Sequence, residues 1–239
     1  MKVPGLLHLI TDMLYPRVCP ICNDLVPFLK GDICPACTAK LSYADEPYCM
    51  RCGKPVDEDE ELCGDCIKGH HVFDEGRAAL IYDEYMSMSI YRFKYNGRRE
   101  FASFYGRVMY ERLKDKITDW NVDAIVHVPV HKSKLKKRGY DQAKLIAKEL
   151  SKRTKIPHKC GLVVRRAATK VQKELSAAER QNNLKKAFKV TQNSVKLDSV
   201  LVVDDIYTTG ATVDSIARCL KGAGVRKVYF ATLCIGRGN

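Results

Sequence analysis

The chain of 239 residues lacks any apolar run that approaches the roughly 20 residues of a membrane-spanning helix. Its apolar stretch near the start, residues 6–14, is interrupted by polar residues and has neither a basic leader nor a small-residue cleavage site. We interpret this stretch as an amphipathic helix. Without a span or a leader, the sequence predicts a cytoplasmic protein.

Aromatic residues make up only 8% of the chain, and Gly and Pro occur at ordinary frequency, which excludes fibrous and low-complexity classes. A Walker-type phosphate loop is also missing, because no glycine stands before a Lys-Ser or Lys-Thr pair at the required spacing. Hydrophobic residues reach 46%, which is enough for a core. The length allows one large domain, or one ordinary domain with a small module.

Charge is unevenly distributed along the chain. Residues 1–75 contain seven Lys and Arg against thirteen Asp and Glu, whereas residues 131–189 contain nineteen against four. The net charge of +13 therefore arises from one segment. Such a segment can attract nucleic acid, can attract the pyrophosphate of a small substrate, or can be a solvated helix face. Any DNA contact is expected in residues 131–189 rather than in the acidic N-terminal region.

Cysteine is concentrated in that acidic region. Eight of the eleven cysteines form four CxxC pairs separated by eleven, eleven and ten residues, which indicates one repeated knuckle. Two sulfurs on a tight turn can face one tetrahedral ion, and two such turns complete a shell of four cysteines. The pairs therefore predict two zinc ions, which are structural because a closed shell leaves no position for water. The predicted ligands are Cys19, Cys22, Cys34, Cys37, Cys49, Cys52, Cys63 and Cys66.

Other uses of these cysteines fit less well. A disulfide framework requires a secreted protein, a redox site does not call for four regular copies, and iron–sulfur ligation matches this spacing less well than zinc. The spacing leaves open which pairs share an ion: neighbouring pairs give the simplest ribbons, and an interleaved arrangement is the alternative. Cys160, Cys219 and Cys234 lie in apolar contexts and are expected to be small buried residues.

From Phe73 onward, the pattern changes to strands that alternate with helices. Helical spacing over residues 86–113 is broken near Asn96 and Gly97, and amphipathic helices are predicted over residues 141–153 and 213–221. Such a pattern predicts an α/β fold with a mostly parallel sheet and helices on both faces, where ligands bind at the carboxyl ends of the strands. Strands are predicted over residues 78–82, 122–128, 162–164, 187–190, 200–203 and 228–233.

One segment combines groups that bind phosphate and sugar. Residues 200–212 read VLVVDDIYTTGAT, an apolar strand followed by two carboxylates, three threonines and a glycine that lead into a helix. Backbone amides in such a turn converge on an anion, and threonine hydroxyls add donors. Asp204 and Asp205 suit paired sugar hydroxyls or a hydrated magnesium ion. These groups predict a ribose 5-phosphate site, and the alternative is turn residues before an ordinary helix cap.

Several motifs together resemble the ComF family. Residues 200–212 look like the phosphoribosyl pyrophosphate (PRPP) motif of type I phosphoribosyltransferases. The CPIC opening, the four CxxC pairs, VPVHKSKLKKRGYDQA at residues 128–143, and residues 169–183 extend the resemblance almost end to end. It implies a type I phosphoribosyltransferase fold over residues 73–239, preceded by a helix and a double zinc ribbon over residues 1–72. The matching residues of the last motif are Gln172, Leu175, Arg180 and Asn183.

The resemblance also implies roles for individual residues. Asp204 and Asp205 become the expected catalytic pair that holds PRPP with magnesium, and residues 165–176 a flexible loop in which Lys170 and Gln172 contribute. The basic residues from Lys132 to Arg138 would neutralise pyrophosphate, or else form an exposed loop on a basic surface. The expected 5-phosphate loop consists of Thr208, Thr209, Gly210, Ala211 and Thr212, and the expected pyrophosphate loop contains Pro129, Val130, His131, Lys132 and Arg138.

For function, the resemblance implies glycosyl transfer from PRPP to an unidentified acceptor, in support of natural transformation or of poorly defined metabolic roles. The implied partners are single-stranded DNA, bound through residues 131–189, and a DNA-uptake helicase or recombination proteins. The alternative is a catalytically silent PRPP-binding scaffold or sensor for such partners. A nucleic-acid adaptor that works through the zinc ribbons is disfavoured by their acidic charge.

Overall fold

The structure of the protein, a computed structural model, describes residues 17–26, 31–166, 187–192 and 195–237. The expected N-terminal helix over residues 6–14 lies outside these ranges, as do Lys170 and Gln172. The described helices are α1 (Pro35–Thr38), α2 (Gly64–Lys68), α3 (Glu84–Tyr95), α4 (Phe101–Trp120), α5 (Lys132–Arg138), α6 (Gln142–Thr154) and α7 (Ala211–Gly222). The described strands are β1 (Glu75–Ile81), β2 (Ala124–His127), β3 (Val163–Arg165), β4 (Phe188–Val190), β5 (Ser199–Tyr207) and β6 (Lys227–Ile235).

Four of the described strands form the main sheet in the order β1-β6-β5-β2, and each neighbouring pair among them is parallel. β3 and β4 form a separate antiparallel ribbon. The prediction of a mostly parallel sheet is confirmed. Because β2 and β5 are parallel neighbours, with His127 paired to Val203, the segments that follow them leave the sheet at the same edge.

Helices cover both faces of this sheet. Leu201 and Val203 of β5 point into one core with α3, α4 and α6, whereas Val200 and Val202 point into a second core with α7. This alternation is the two-residue period of a strand buried on both sides. Asp83 caps the start of α3, because its carboxylate accepts from the Met86 amide. Among the described residues, no helix is both long and apolar enough to cross a membrane.

The predicted elements agree with the structure in part and differ from it in bounds or form elsewhere. The helical pattern over residues 86–113 is divided at Asn96 into α3 and α4, as predicted. The strand predicted over residues 200–203 continues through the acidic pair to Tyr207. The expected pyrophosphate loop is largely the helix α5, because His131 caps its start and Gly139, with φ of 76°, ends it.

Two of the three cysteines expected to be buried depart from that expectation. Cys234 is buried in β6, and Cys219 of α7 is partly buried. Cys160, in contrast, is exposed, because it lies in the turn between α6 and β3 rather than in an element that packs on the sheet. An apolar neighbourhood in the sequence was therefore a poor guide to burial within a turn.

Candidate functional site

The eight cysteines of the CxxC pairs form two separate clusters. Cys19, Cys22, Cys34 and Cys37 make one, and Cys49, Cys52, Cys63 and Cys66 make the other; within each cluster the sulfurs lie within 4.8 Å of one another. Neighbouring pairs thus share a site, and the interleaved alternative is excluded. Both short helices begin directly after a ligand, since Cys34 precedes α1 and Cys63 precedes α2.

The sulfur geometry fits zinc and not disulfides. The Cys22 and Cys34 sulfurs are 3.8 Å apart, and the Cys52 and Cys63 sulfurs are 3.6 Å apart. Ligands at about 2.3 Å from a tetrahedral zinc ion are separated by about 3.8 Å, whereas bonded sulfurs are about 2.05 Å apart. Each cluster offers four thiols and no open position, so both are structural zinc sites with four cysteine ligands. We call them the first and the second zinc site in chain order.

The two adjacent carboxylates at the end of β5 have different surroundings. Lys94 of α3 places its ammonium nitrogen 2.9 Å from Oδ1 and 2.8 Å from Oδ2 of Asp205, which is buried. Asp204 points to the opposite side of the strand and stays partly exposed, and one of its oxygens accepts from the Asp205 amide at 2.8 Å. Asp204 is therefore the carboxylate open to a ligand, and Asp205 is neutralised by a lysine.

The ionisation of Asp204 is perturbed. Although the residue is partly exposed, desolvation of its carboxyl by the surrounding strand ends, reinforced by the negative charge of Asp205, raises the pKa of Asp204 well above its usual range. The bond from the Asp205 amide and the charge of Lys94 oppose this shift and are outweighed. A group that is costly to ionise in the free protein gains most from a ligand that stabilises its charge, such as a sugar diol or a hydrated cation.

The loop after β5 is an open turn that leads into α7. Thr208 and Thr209 are exposed, and Gly210 adopts φ of 79° at the start of the helix. Within the described part of the chain, no side chain caps this helix, so its first amides remain available to an anion. A Cβ at position 210 would lie 2.6 Å from the Tyr207 hydroxyl and 2.9 Å from His71 Cε1, so only glycine fits here.

The segment after β2 lies beside this loop and is anchored by Asp141. The Asp141 carboxylate accepts from the Val130 amide and, as the cap of α6, from the Lys144 amide, both at 3.0 Å. Burial raises the pKa of Asp141. Below it, His127 Nδ1 lies 2.9 Å from His158 Nε2, and burial lowers the pKa of each histidine to about 4, so both are neutral at pH 7. Two uncharged histidines therefore lie next to the residues that hold Pro129 and Val130 in place.

Helix α5 presents its basic side chains to solvent beside the same edge. The four lysines of α5 are exposed, and the His131 ring accepts from the Ser133 amide as the helix cap. Arg138 donates to Gln142 and to the Tyr95 hydroxyl. The expected pyrophosphate residues therefore form two groups, with Pro129, Val130 and His131 directly after the strand and Lys132 and Arg138 at the two ends of a helix.

Sequence reasoning missed three residues that shape this site: His71, Lys94 and Asp141. Asp141 carries a recognisable signal, because an aspartate before an amphipathic helix is a standard cap. His71 and Lys94 carry none, because their partners lie 143 and 111 residues away along the chain. The expected lid residues Lys170 and Gln172 lie outside the described residues.

Comparison with known proteins identifies the family. Residues 10–67 match the double zinc ribbon domain, and residues 109–239 match the phosphoribosyl transferase domain. Competence protein F of Haemophilus influenzae is 31% identical over 88% of this chain and 93% of its own length. DNA utilization protein YhgH of Escherichia coli K12 is 29% identical over 92% and 97%, and competence protein ComFC of Bacillus subtilis is 26% identical over 82% and 81%. The chain therefore belongs to the competence protein F family and combines a double zinc ribbon with a phosphoribosyl transferase domain.

Proposed function

We propose that the protein binds PRPP with magnesium at the carboxyl edge of β5 and β2 and serves competence as a phosphoribosyltransferase-type protein. The observation that carries this proposal is the segment Asp204–Thr212, in which an accessible carboxylate, two exposed threonines and an uncapped helix start follow one another. Each group suits one part of ribose 5-phosphate. The match to the phosphoribosyl transferase domain and the competence names of the relatives support the same function.

In this proposal each group has a distinct task. The Asp204 carboxylate accepts from the ribose hydroxyls, and the amides and hydroxyls of Thr208–Thr212 bind the 5-phosphate. Pyrophosphate lies against the segment at Pro129 and Val130, where the lysines of α5 favour its departure from C1. Magnesium suits the oxygen ligands here and, when bound, neutralises charge on the pyrophosphate oxygens. Asp205 is held by Lys94 and acts by keeping the strand end in place.

Calorimetry with PRPP and magnesium tests this proposal. The parent should bind, and Asp204→Asn should bind at least about tenfold more weakly, because hydrogen bonds that involve charged groups contribute about 1.5–3 kcal/mol. The matched control is Asp198→Asn, at the opposite end of β5, where the carboxylate pairs with Arg226 at the surface. Equal affinity of Asp204→Asn and parent would refute the ribose contact. Pyrophosphate release on addition of an acceptor would distinguish turnover from binding alone.

A second candidate function, the handling of single-stranded DNA, is favoured by one surface. Tyr91 and Tyr95 on the outer face of α3 are 54% and 51% exposed, and their ring centroids are 5.0 Å apart. The Arg138 guanidinium lies 4.9 Å from the Tyr95 ring, and its hydrogen bond, with the charges of Lys134 and Lys94, lowers the pKa of Tyr95. Exposed rings within a basic surface are what single-stranded nucleic acid uses for base stacking and phosphate contact.

Binding of a fluorescent oligonucleotide tests this surface. Tyr95→Ala should weaken binding at least about fivefold, because each base stack contributes about 1–3 kcal/mol. Replacing Lys134, Lys136 and Lys137 with Ala should reduce the salt slope by up to about 0.7 for each lost contact. Tyr43→Ala is the control, since Tyr43 is an exposed tyrosine with the Arg112 guanidinium 4.7 Å away on another surface. Equal losses of oligonucleotide affinity in Tyr43→Ala and Tyr95→Ala would show that the surface around Tyr95 is not the DNA interface.

A further inference from the structure

We infer that His71 is a positioning residue for the 5-phosphate loop, and that the second zinc site, unlike the first, supports this loop. The inference rests on the proposed PRPP site and extends it to residues of the zinc-binding region. His71 lies in the linker between α2 and β1, five positions after Cys66, the last zinc ligand. Its side chain is only 7% exposed.

The linker holds the first turn of α7 through one carboxylate. His71 Nδ1 lies 2.8 Å from Asp214 Oδ2, and the Val72 amide donates to Asp214 Oδ1 at 2.7 Å. Because a carboxylate only accepts, Nδ1 carries the hydrogen of this bond. The Asp214 amide in turn donates to the Gly210 carbonyl at 2.8 Å. The two linker donors therefore hold Asp214, whose own amide bonds to Gly210 and so connects the phosphate loop to α7.

The His71 ring also forms one wall of the loop. Its Cε1 atom lies where a Cβ on Gly210 would approach it to 2.9 Å. The ring stacks on Phe73 with centroids 4.6 Å apart, and Phe73 meets Tyr207 edge to face. Since Tyr207 ends the strand from which the loop leaves, His71 contacts the loop at its helix end and supports it through Phe73 at its strand end.

The second zinc site holds His71 in place. Arg51 lies in the turn between the ligands Cys49 and Cys52, and its guanidinium donates to the His71 carbonyl at 2.6 Å. The Arg51 carbonyl accepts from the Gly76 amide of β1 at 2.8 Å. All four cysteines of this site belong to the core that contains Phe73 and Tyr207. A continuous set of contacts therefore connects the second zinc site to the phosphate loop.

The first zinc site belongs to the other core. Cys19 and Cys37 pack with α3 and α4, and the Arg92 guanidinium of α3 donates to the Ile21 carbonyl at 2.8 Å. This contact resembles the one that Arg51 makes, but it leads to a helix on the opposite face of the sheet from α7. The first zinc site is therefore an internal control, because it is the same kind of metal site and has no described contact with the phosphate loop.

Ligand binding to full-length, zinc-loaded His71→Ala tests the inference. We expect two zinc ions per chain, affinities for PRPP and for ribose 5-phosphate that both fall by about fivefold to tenfold, and unchanged affinity for inorganic pyrophosphate, since a bond to a charged group is lost only at the 5-phosphate loop. His71→Asn should retain most of the parent's affinity for PRPP and ribose 5-phosphate, because the amide nitrogen can donate to Asp214. Arg92→Ala should leave all three affinities within about twofold.

A purely structural histidine would give a different pattern. Unchanged ribose 5-phosphate affinity in His71→Ala, or an equal loss of pyrophosphate affinity, would overturn the positioning role. Hydrogen exchange at amides 208–214 should be faster in Cys52→Ser than in the parent and unchanged in Cys22→Ser; equal effects of the two would overturn the link to the second zinc site. If the parent binds neither PRPP nor ribose 5-phosphate, the proposed function fails, and the exchange rates of His71→Ala still decide whether His71 orders the loop.

Discussion

The ion pair between Lys94 and Asp205 gives the sharpest prediction about the site, because it connects α3 to the strand that ends there. The two side chains are 19% and 11% exposed, and the lysine nitrogen lies within 2.9 Å of both carboxylate oxygens. Replacing Lys94 with Met keeps the apolar stem and removes the charge. Asp205 is then a buried carboxylate without its cation, beside the carboxyl of Asp204.

The loss in the free energy of unfolding depends on which charged group each substitution leaves unpaired. Removing one partner of a fully buried pair costs about 3–5 kcal/mol, and the partial exposure of this pair reduces the expected loss to about 2–3 kcal/mol for Lys94→Met. Asp205→Asn should cost only about 1 kcal/mol, because the lysine stem can carry its ammonium toward solvent. The double variant should resemble Asp205→Asn, so the double-mutant cycle should give a coupling of about 2–3 kcal/mol.

Urea denaturation of the four proteins at pH 7 measures these values, and thermal melting should show Lys94→Met lower by about 5–10 °C. Lys114→Met is the control, since Lys114 is exposed on α4. A loss below about 1 kcal/mol in Lys94→Met, or additive single losses, would refute the argument that Asp205 depends on this lysine.

Two further predictions concern the metal sites and the pH dependence of stability. Metal analysis of the unsupplemented protein should find two zinc ions per chain, and Cys52→Ser should retain one; absence of zinc with the eight thiols oxidised to four disulfides would contradict the four-cysteine sites. Asp204→Asn should melt about 2–4 °C above the parent at pH 8 and level with it near pH 4. The folded parent holds a proton on Asp204 above the pKa of about 3.9 of the unfolded chain, so its stability falls as pH rises toward the raised folded pKa. A constant difference across pH would contradict this account of Asp204.

Much of the fold could be predicted because its strands are apolar on both faces. The run before Asp204 reads as a buried parallel strand without any tertiary information. The apolar pattern predicts an end at Val203, because two carboxylates follow, whereas the strand continues to Tyr207. Pairing with β6 continues nonetheless, with Asp204 opposite Thr232 and Tyr207 opposite Ile235, so hydrogen bonding to a neighbour decided where the strand stops.

The candidate site could be predicted only where its groups are adjacent in the sequence. Asp204 to Thr212 form one continuous segment, so the phosphate loop was visible as a motif. The different environments of Asp204 and Asp205 were not, because they depend on Lys94, a residue of a helix 111 positions away. Similarly, α5 looked like a basic loop, since the density of lysines conceals a helix that is set by the cap at His131 and the turn at Gly139.

The two zinc sites belong to different cores, so the zinc-binding region supports both faces of the sheet. Cysteines of the first site share a core with α3 and α4, and those of the second share the core of α7, so the ribbons extend both faces of the sheet. Deleting residues 1–70 would uncover apolar surface on both faces and remove Arg51, which holds the His71 carbonyl. Loss of ligand binding in such a truncation would follow from either effect. Single substitutions that spare the metal ligands, at His71 and Arg92, separate the two contributions because each interrupts the contact of one ribbon.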